Sequence, residues 1–163
     1  MIHSYLDING SEFEALTRDL LAEGNMVRFR AKGFSMRPFI RSGDILEVQP
    51  FVAAHPVRIG EIVLFKSVNN GLLAHRIIKI TPEQYSIMYL PQGDSNRYPD
   101  LPISPAQILG IVAALKRNKH RVNLNTSSQK FVARLWVLFA PLIKHLYFFI
   151  TGTNLYRKVR AYK

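Results

Sequence analysis

The chain has 163 residues, enough for one domain with a hydrophobic core and too few for two. It has no cysteine, which excludes disulfide frameworks, thiolate nucleophiles and cysteine zinc sites. The net charge of +11 is confined to one part of the chain: residues 1–100 carry 11 Lys/Arg and all 11 Asp/Glu, whereas residues 101–163 carry the other 11 Lys/Arg and no acid.

The first ten residues contain Asp7 and no apolar run, so neither a secretory signal nor an N-terminal membrane anchor is expected there. Ser11-Glu12-Phe13-Glu14 reads as a capping box, and Phe13, Leu16, Leu20 and Leu21 follow at helical spacing until Gly24. Residues 1–25 are thus an N-terminal helical segment. Residues 26–31 alternate like a strand and run into Gly33-Phe34-Ser35-Met36-Arg37-Pro38, where glycine and proline break the pattern. Ser42-Gly43-Asp44 turns the chain into a strand at 45–48.

Two branched-rich apolar runs, 61–65 and 72–78, flank Asn69-Asn70-Gly71. Asn-Gly supplies the positive φ angles of a tight turn, so a hairpin is expected. Residues 84–90 and 108–115 read as further strands, with a polar loop over 92–102 between them. Residues 26–122 therefore form a mainly β domain. From Lys116 the composition changes to a basic run, 116–121, then a polar linker, 123–128, and an apolar stretch, 131–150. Arg157, Lys158, Arg160 and Lys163 form a second basic cluster, and residues 123–163 are expected to be a linker and a basic, apolar C-terminal helix.

The chemistry-bearing residues come in a fixed order. Gly33-Phe-Ser35-Met36-Arg-Pro38 is followed by Gly43-Asp44, Gly60-Glu61, His75-Arg76-Ile77, and Gly93-Asp94-Ser-Asn96 with Asp100 beyond. This series resembles the successive boxes of the signal peptidase I and LexA superfamily of serine peptidases, of S24/S26 type, over residues 26–112. The resemblance is nearest to the Ser-His signal peptidases of endoplasmic-reticulum and archaeal type. It implies a coiled, mainly β fold in which Ser35 is the nucleophile and His75 the base, at a position where other members place lysine. Asp94 and Asp100 match two aspartates of the family, and Asp100 is the choice for the partner of His75.

The physical chemistry of the residues agrees with those roles. A serine hydroxyl is a weak nucleophile until a base takes its proton, and a neutral imidazole does so near neutral pH. A carboxylate on the far ring nitrogen fixes the tautomer and stabilises the imidazolium as it forms. Asp94 and Asp44 read as turn residues whose side chains bond nearby backbone. Met36 reads as an apolar residue facing the core or the cleft, and Lys32, Lys66 and Lys79 as solvated charges, with Lys66 the alternative base. Gly33 stands where many signal peptidases carry an oxyanion-binding serine, as it does in LexA-type proteins.

The five histidines, His3, His55, His75, His120 and His145, show no metal-ligand spacing, so no metal or other cofactor is expected. In the apolar stretch, Lys130, Arg134, Pro141, Lys144 and His145 fall within about 100° of arc at about 100° per residue. A membrane span would place Lys144 in hydrocarbon at a cost of roughly 2.5–3.5 kcal/mol. A helix lying in the interface avoids that cost, so residues 127–150 are expected to bind a membrane surface peripherally, on the cytoplasmic side. No nucleic-acid partner is expected, because the cations flank aliphatic side chains and no binding motif accompanies them. The expected function is a serine endopeptidase cleaving an extended leader-like or signal-like peptide or preprotein. The alternatives are a LexA-type self-cleaving protein and a non-catalytic, membrane-associated peptide-binding module.

Overall fold

The computed structural model describes residues 10–52, 56–68, 71–84 and 86–160. In chain order these form helix α1 (Gly10–Ala22), strands β1 (Val27–Arg30), β2 (Ile45–Pro50), β3 (Ile62–Ser67), β4 (Gly71–Pro82) and β5 (Ile87–Gln92), a 3-10 turn at Pro105–Gln107, strands β6 (Ile108–Arg117) and β7 (His120–Asn123), and helix α2 (Ser127–Arg160). The segment before Gly10, His55, the Asn69-Asn70 pair of the expected hairpin turn, and Lys163 lie outside the described residues.

All described strand pairings are antiparallel, in the order β1-β2-β6-β3-β4-β5, with β7 added to β6. The unbroken apolar run of β3 reflects burial on both faces. Successive strand residues point to opposite sides, so Ile62 and Leu64 join a cluster with Leu21, Val27, Met36 and Val112. Val63 and Phe65 join a second cluster with Ile77, Tyr89 and Ile103. The mainly β class with a helix at each end agrees with the expected fold. Helix α1 begins at Gly10, so Ser11 lies inside the first turn rather than at its cap.

The basic run at 116–121 is a hairpin, a strand that composition alone did not reveal. It turns at Asn118 and Lys119, with Asn118 at φ 54°, a conformation asparagine tolerates better than most residues. Its arginines meet buried acids. Arg117 donates from Nε and Nη2 to Asp44 at 2.9 and 2.7 Å and from Nη2 to the Phe39 carbonyl at 2.9 Å. Arg121 donates twice to Glu47 Oε2, at 3.0 and 2.6 Å. The β6-β7 hairpin is thereby tied to the segment that follows Ser35, from Phe39 to Glu47.

Asp44 also accepts the Arg41 N–H at 2.8 Å, as a turn-locking aspartate should. Burial works to raise its pKa, but the bonds from Arg117 and Arg41 together outweigh burial and hold the carboxyl below its ordinary value. Arg117→Met should cost about 2 kcal/mol in urea unfolding at neutral pH, since a hydrogen bond to a charged group contributes roughly 1.5–3 kcal/mol. A depressed carboxylate pKa contributes stability that is present above the unfolded value and lost as pH falls through the folded one. The gap between the parent and Arg117→Met should therefore shrink in acid, and an equal gap at both pH values would count against this account.

Candidate active site

Ser35 sits in a turn that the sheet holds at both ends. The Ala31 N–H donates to Asp44 C=O at 2.7 Å and the Gly43 N–H to Ala31 C=O at 2.9 Å, so the chain leaves and re-enters the sheet at neighbouring points. Between them Gly33 takes φ 92°, the Arg37–Pro38 bond is cis, and Pro38 is exposed. The turn is closed by the Arg37 N–H to Phe34 C=O and the Ile40 N–H to Met36 C=O, which leaves the Ser35 N–H outside the closing bonds. Met36 is buried in the cluster beneath, so the residue after Ser35 anchors the turn to the core.

His75 stands on β4 opposite Val63 of β3, its ring 6.2 Å from the Phe65 ring between centroids. It is buried, 3 % exposed. Its Nε2 lies 2.9 Å from Ser35 Oγ and its Nδ1 2.6 Å from Asp100 Oδ2. Asp100 is held by its own N–H, which donates to Pro91 C=O at 2.9 Å, and by the pairing of Tyr89 with Ile103 just beyond. Three segments distant in sequence thus converge on one imidazole. With Nδ1 protonated, Nε2 is an acceptor for the Ser35 hydroxyl, the arrangement a general base requires.

Asp94 differs from the expectation. Its carboxylate does not close its own turn. It is buried and accepts two bonds from Arg76, Nε at 2.8 Å and Nη2 at 2.7 Å, and a third from Trp136 Nε1 at 2.8 Å. Arg76 uses its remaining arm on the Gly60 carbonyl at 2.8 Å. A carboxylate removed from water needs charged or N–H partners on both oxygens, and a self-bonded turn could not supply them. Its neighbours meet the Ser35 turn: the Ser95 N–H donates to Ser35 C=O at 2.8 Å and Ser95 Oγ to Phe34 C=O at 2.9 Å. Gly93 must be glycine, because a Cβ there would lie 2.8 Å from both Ser35 O and the Asn96 side chain.

The model of the Peptidase S24-like family matches residues 2–113. The chain belongs to the Peptidase S24-like family. No curated protein matches it. The family, part of the LexA and signal peptidase superfamily, carries serine peptidase or LexA-like self-cleaving activity. The match to this Peptidase S24-like domain ends before β7 and α2.

Sequence reading gave no role at this site to Arg76, Ser95 or Trp136, and placed Lys144 only among the cations on the polar side of the C-terminal helix. Arg76 left a signal, since a lone cation inside the apolar strand 72–78 must find a buried acid. Trp136 and Lys144 left none, because only the docking of α2 brings them to Gly93 and Asp94. Lys144 Nζ donates to Gly93 C=O at 3.3 Å; burial lowers its pKa below the ordinary value, against the opposing pull of Asp94 and with a smaller push from Arg76. Lys66 is paired with Glu14 of α1 at 2.6 Å. Among the described residues no group of His, Asp and Glu could hold a metal ion.

Arg76→Met should cost about 3–5 kcal/mol, because it strands a buried carboxylate. Trp136→Phe keeps an aromatic ring beside Phe39, whose centroid lies 5.1 Å from that of Trp136, and removes the N–H donor together with part of the ring. Its expected cost is about 1–2 kcal/mol. Urea midpoints check both, and a Trp136→Phe protein as stable as its parent would mean the indole bond contributes nothing.

Proposed function

We propose that the protein is a serine endopeptidase acting through Ser35, His75 and Asp100. The observation that carries this is the hydrogen-bonded line from Asp100 Oδ2 through both ring nitrogens of His75 to Ser35 Oγ, at 2.6 and 2.9 Å. Ser35 Oγ attacks the scissile carbonyl as its proton passes to Nε2, and Asp100 stabilises the imidazolium. The imidazolium then protonates the leaving amine, which frees the new N-terminus and leaves an acyl-enzyme on Oγ. Water, deprotonated by the same nitrogen, releases the acid and restores the serine. The Ser35 N–H is one donor for the oxyanion.

An extended peptide fits this site best. Strand β1, which leads to Ser35, pairs only with β2, and residues 71–75 of β4, which lead to His75, pair only with β3 among the described strands. Each offers an open edge to which a substrate strand can add through main-chain hydrogen bonds. Phe34 and Leu101, 62 % and 69 % exposed beside Ser35 and Asp100, offer apolar surface to substrate side chains. The resemblance to signal peptidases favours small residues next to the cleaved bond.

A fluorophosphonate probe and a survey of cleaved peptides test the reading. The wild type should label at Ser35 and generate new termini that Ser35→Ala does not. Ser35→Ala and His75→Ala should each lower kcat by 10³-fold or more, and the double variant should be little worse, since members of a catalytic unit are non-additive. Asp100→Asn should lower kcat by roughly 10³–10⁴-fold through loss of the correct tautomer. A His75→Ala protein of near-normal turnover would sink the assignment, and fragments of the chain's own sequence alone, absent from Ser35→Ala, would mean self-cleavage instead.

A further inference from the structure

Helix α2 presents its two sides in an unusual order. The side against the body carries two alanines and two hydrogen-bond donors: Ala133 lies against Gly60, whose φ of 95° and lack of Cβ let the helix approach, and Trp136, Ala140 and Lys144 follow at intervals of three or four. The side facing away is apolar. Leu135, Leu138, Phe139, Leu142, Ile143 and Leu146 are 39 %, 67 %, 48 %, 69 %, 50 % and 60 % exposed, and Phe131, Tyr147 and Phe149 extend the stripe. A contiguous apolar face of this extent on a folded domain marks an interaction surface.

The charge around the face decides what covers it. Helix α2 contains Lys130, Arg134, Lys144, Arg157, Lys158 and Arg160 and no acid, so a second copy would bring like charges together across any two-fold contact of this helix. Arg134 and His145 are exposed, and at about 100° per residue they fall along one flank of the stripe. At its C-terminal half a cleft of about 470 Å³ between the helix and the 92–99 loop gathers Arg97, Lys144 and His145 with Tyr98 and Phe149. Cations and aromatic rings bordering an apolar stripe match the layering of an anionic bilayer, with headgroup phosphate above hydrocarbon. No helix among the described residues is long and apolar enough to cross a membrane, which suits a helix lying along the surface.

We propose that the outward face of α2 is a docking surface for an anionic lipid bilayer, on which the helix lies parallel to the membrane plane. Because Trp136 and Lys144 bond to Asp94 and Gly93 on the opposite side of the same helix, seating it also holds the Ser35 turn beside that surface.

Flotation of the full-length chain with vesicles tests this. The protein should float with phosphatidylcholine vesicles containing about a third phosphatidylglycerol and bind at least ten-fold more weakly to phosphatidylcholine alone. Binding should fall, without vanishing, in high salt, because only its electrostatic part is screened. The double variant Leu138→Glu/Leu142→Glu, altered only at outward positions, should lose at least ten-fold in bound fraction while keeping the parent's melting temperature. Arg134→Gln should weaken binding and flatten its salt dependence, which keeps the test open if the double variant does not fold. Ser35→Ala should bind like the parent, so failure of the peptidase reading leaves this result intact. A folded parent that stays off anionic vesicles would overturn the proposal. So would a concentration-dependent dimer, seen by sedimentation and abolished by Leu138→Glu/Leu142→Glu, in a protein without vesicle binding.

Discussion

The buried pair of Arg76 and Asp94 is the constraint around which the rest of this molecule is arranged. Taking a guanidinium or a carboxylate out of water costs several kcal/mol for each ion, and the pair is tolerable only when geometry and hydrogen bonding are both complete. Here they are: two parallel N–H···O bonds join the groups, Gly60 C=O takes the remaining guanidinium arm, and the Trp136 indole completes Asp94 Oδ1. Arg76 directly follows His75 on β4, and Asp94 directly precedes Ser95, whose N–H grips the Ser35 carbonyl. The pair therefore sets the spacing between the strand that carries the imidazole and the turn that carries the hydroxyl.

Several residue choices follow from that spacing. The approach of the 93–96 loop to the Ser35 turn leaves no room for a side chain at Gly93, and the approach of α2 leaves little at Gly60. The strand period then separates the two tasks of β4: His75 and Arg76 leave the strand on opposite sides, one toward Ser35 and Asp100, the other toward Asp94 and α2. Two core clusters, one on each face of β3, fix both sides of the sheet, so neither task rests on a mobile support.

Helix α2 reverses the ordinary arrangement in which a helix turns its apolar stripe to the core and its charges to water. Ala133 and Ala140 allow close packing, Trp136 and Lys144 provide the donors that the 93–94 segment needs, and the leucines are left outside. A segment that reads as an appendage is in this way joined to the frame of the candidate site. The second surface it presents is the one that a lipid partner would explain.

By itself the sequence determined the family and the class of fold. The ordered boxes from Gly33 to Asp100 carried the likeness that the Peptidase S24-like match shows, and branched-rich runs such as 61–65 marked strands, because residue patterning and motif order are local properties. Asymmetric charge was legible too, as was the apolar stretch of α2. Other features had no local signature. β7 was hidden in a run whose composition reads only as basic, since its pairing with β6 depends on Asn118 reaching a positive φ and on Arg117 and Arg121 finding Asp44 and Glu47 some 70 residues earlier. Which aspartate faces the imidazole was likewise decided by tertiary structure. Asp94 and Asp100 are close in sequence and alike in chemistry, and only the fold sends one to Arg76 and Trp136 and the other to His75 Nδ1. The same holds for the orientation of α2. A helical wheel shows that two sides differ, but the side turned to the protein is chosen by which one satisfies Asp94 and Gly93, and those partners lie about 40 to 50 residues away in the chain.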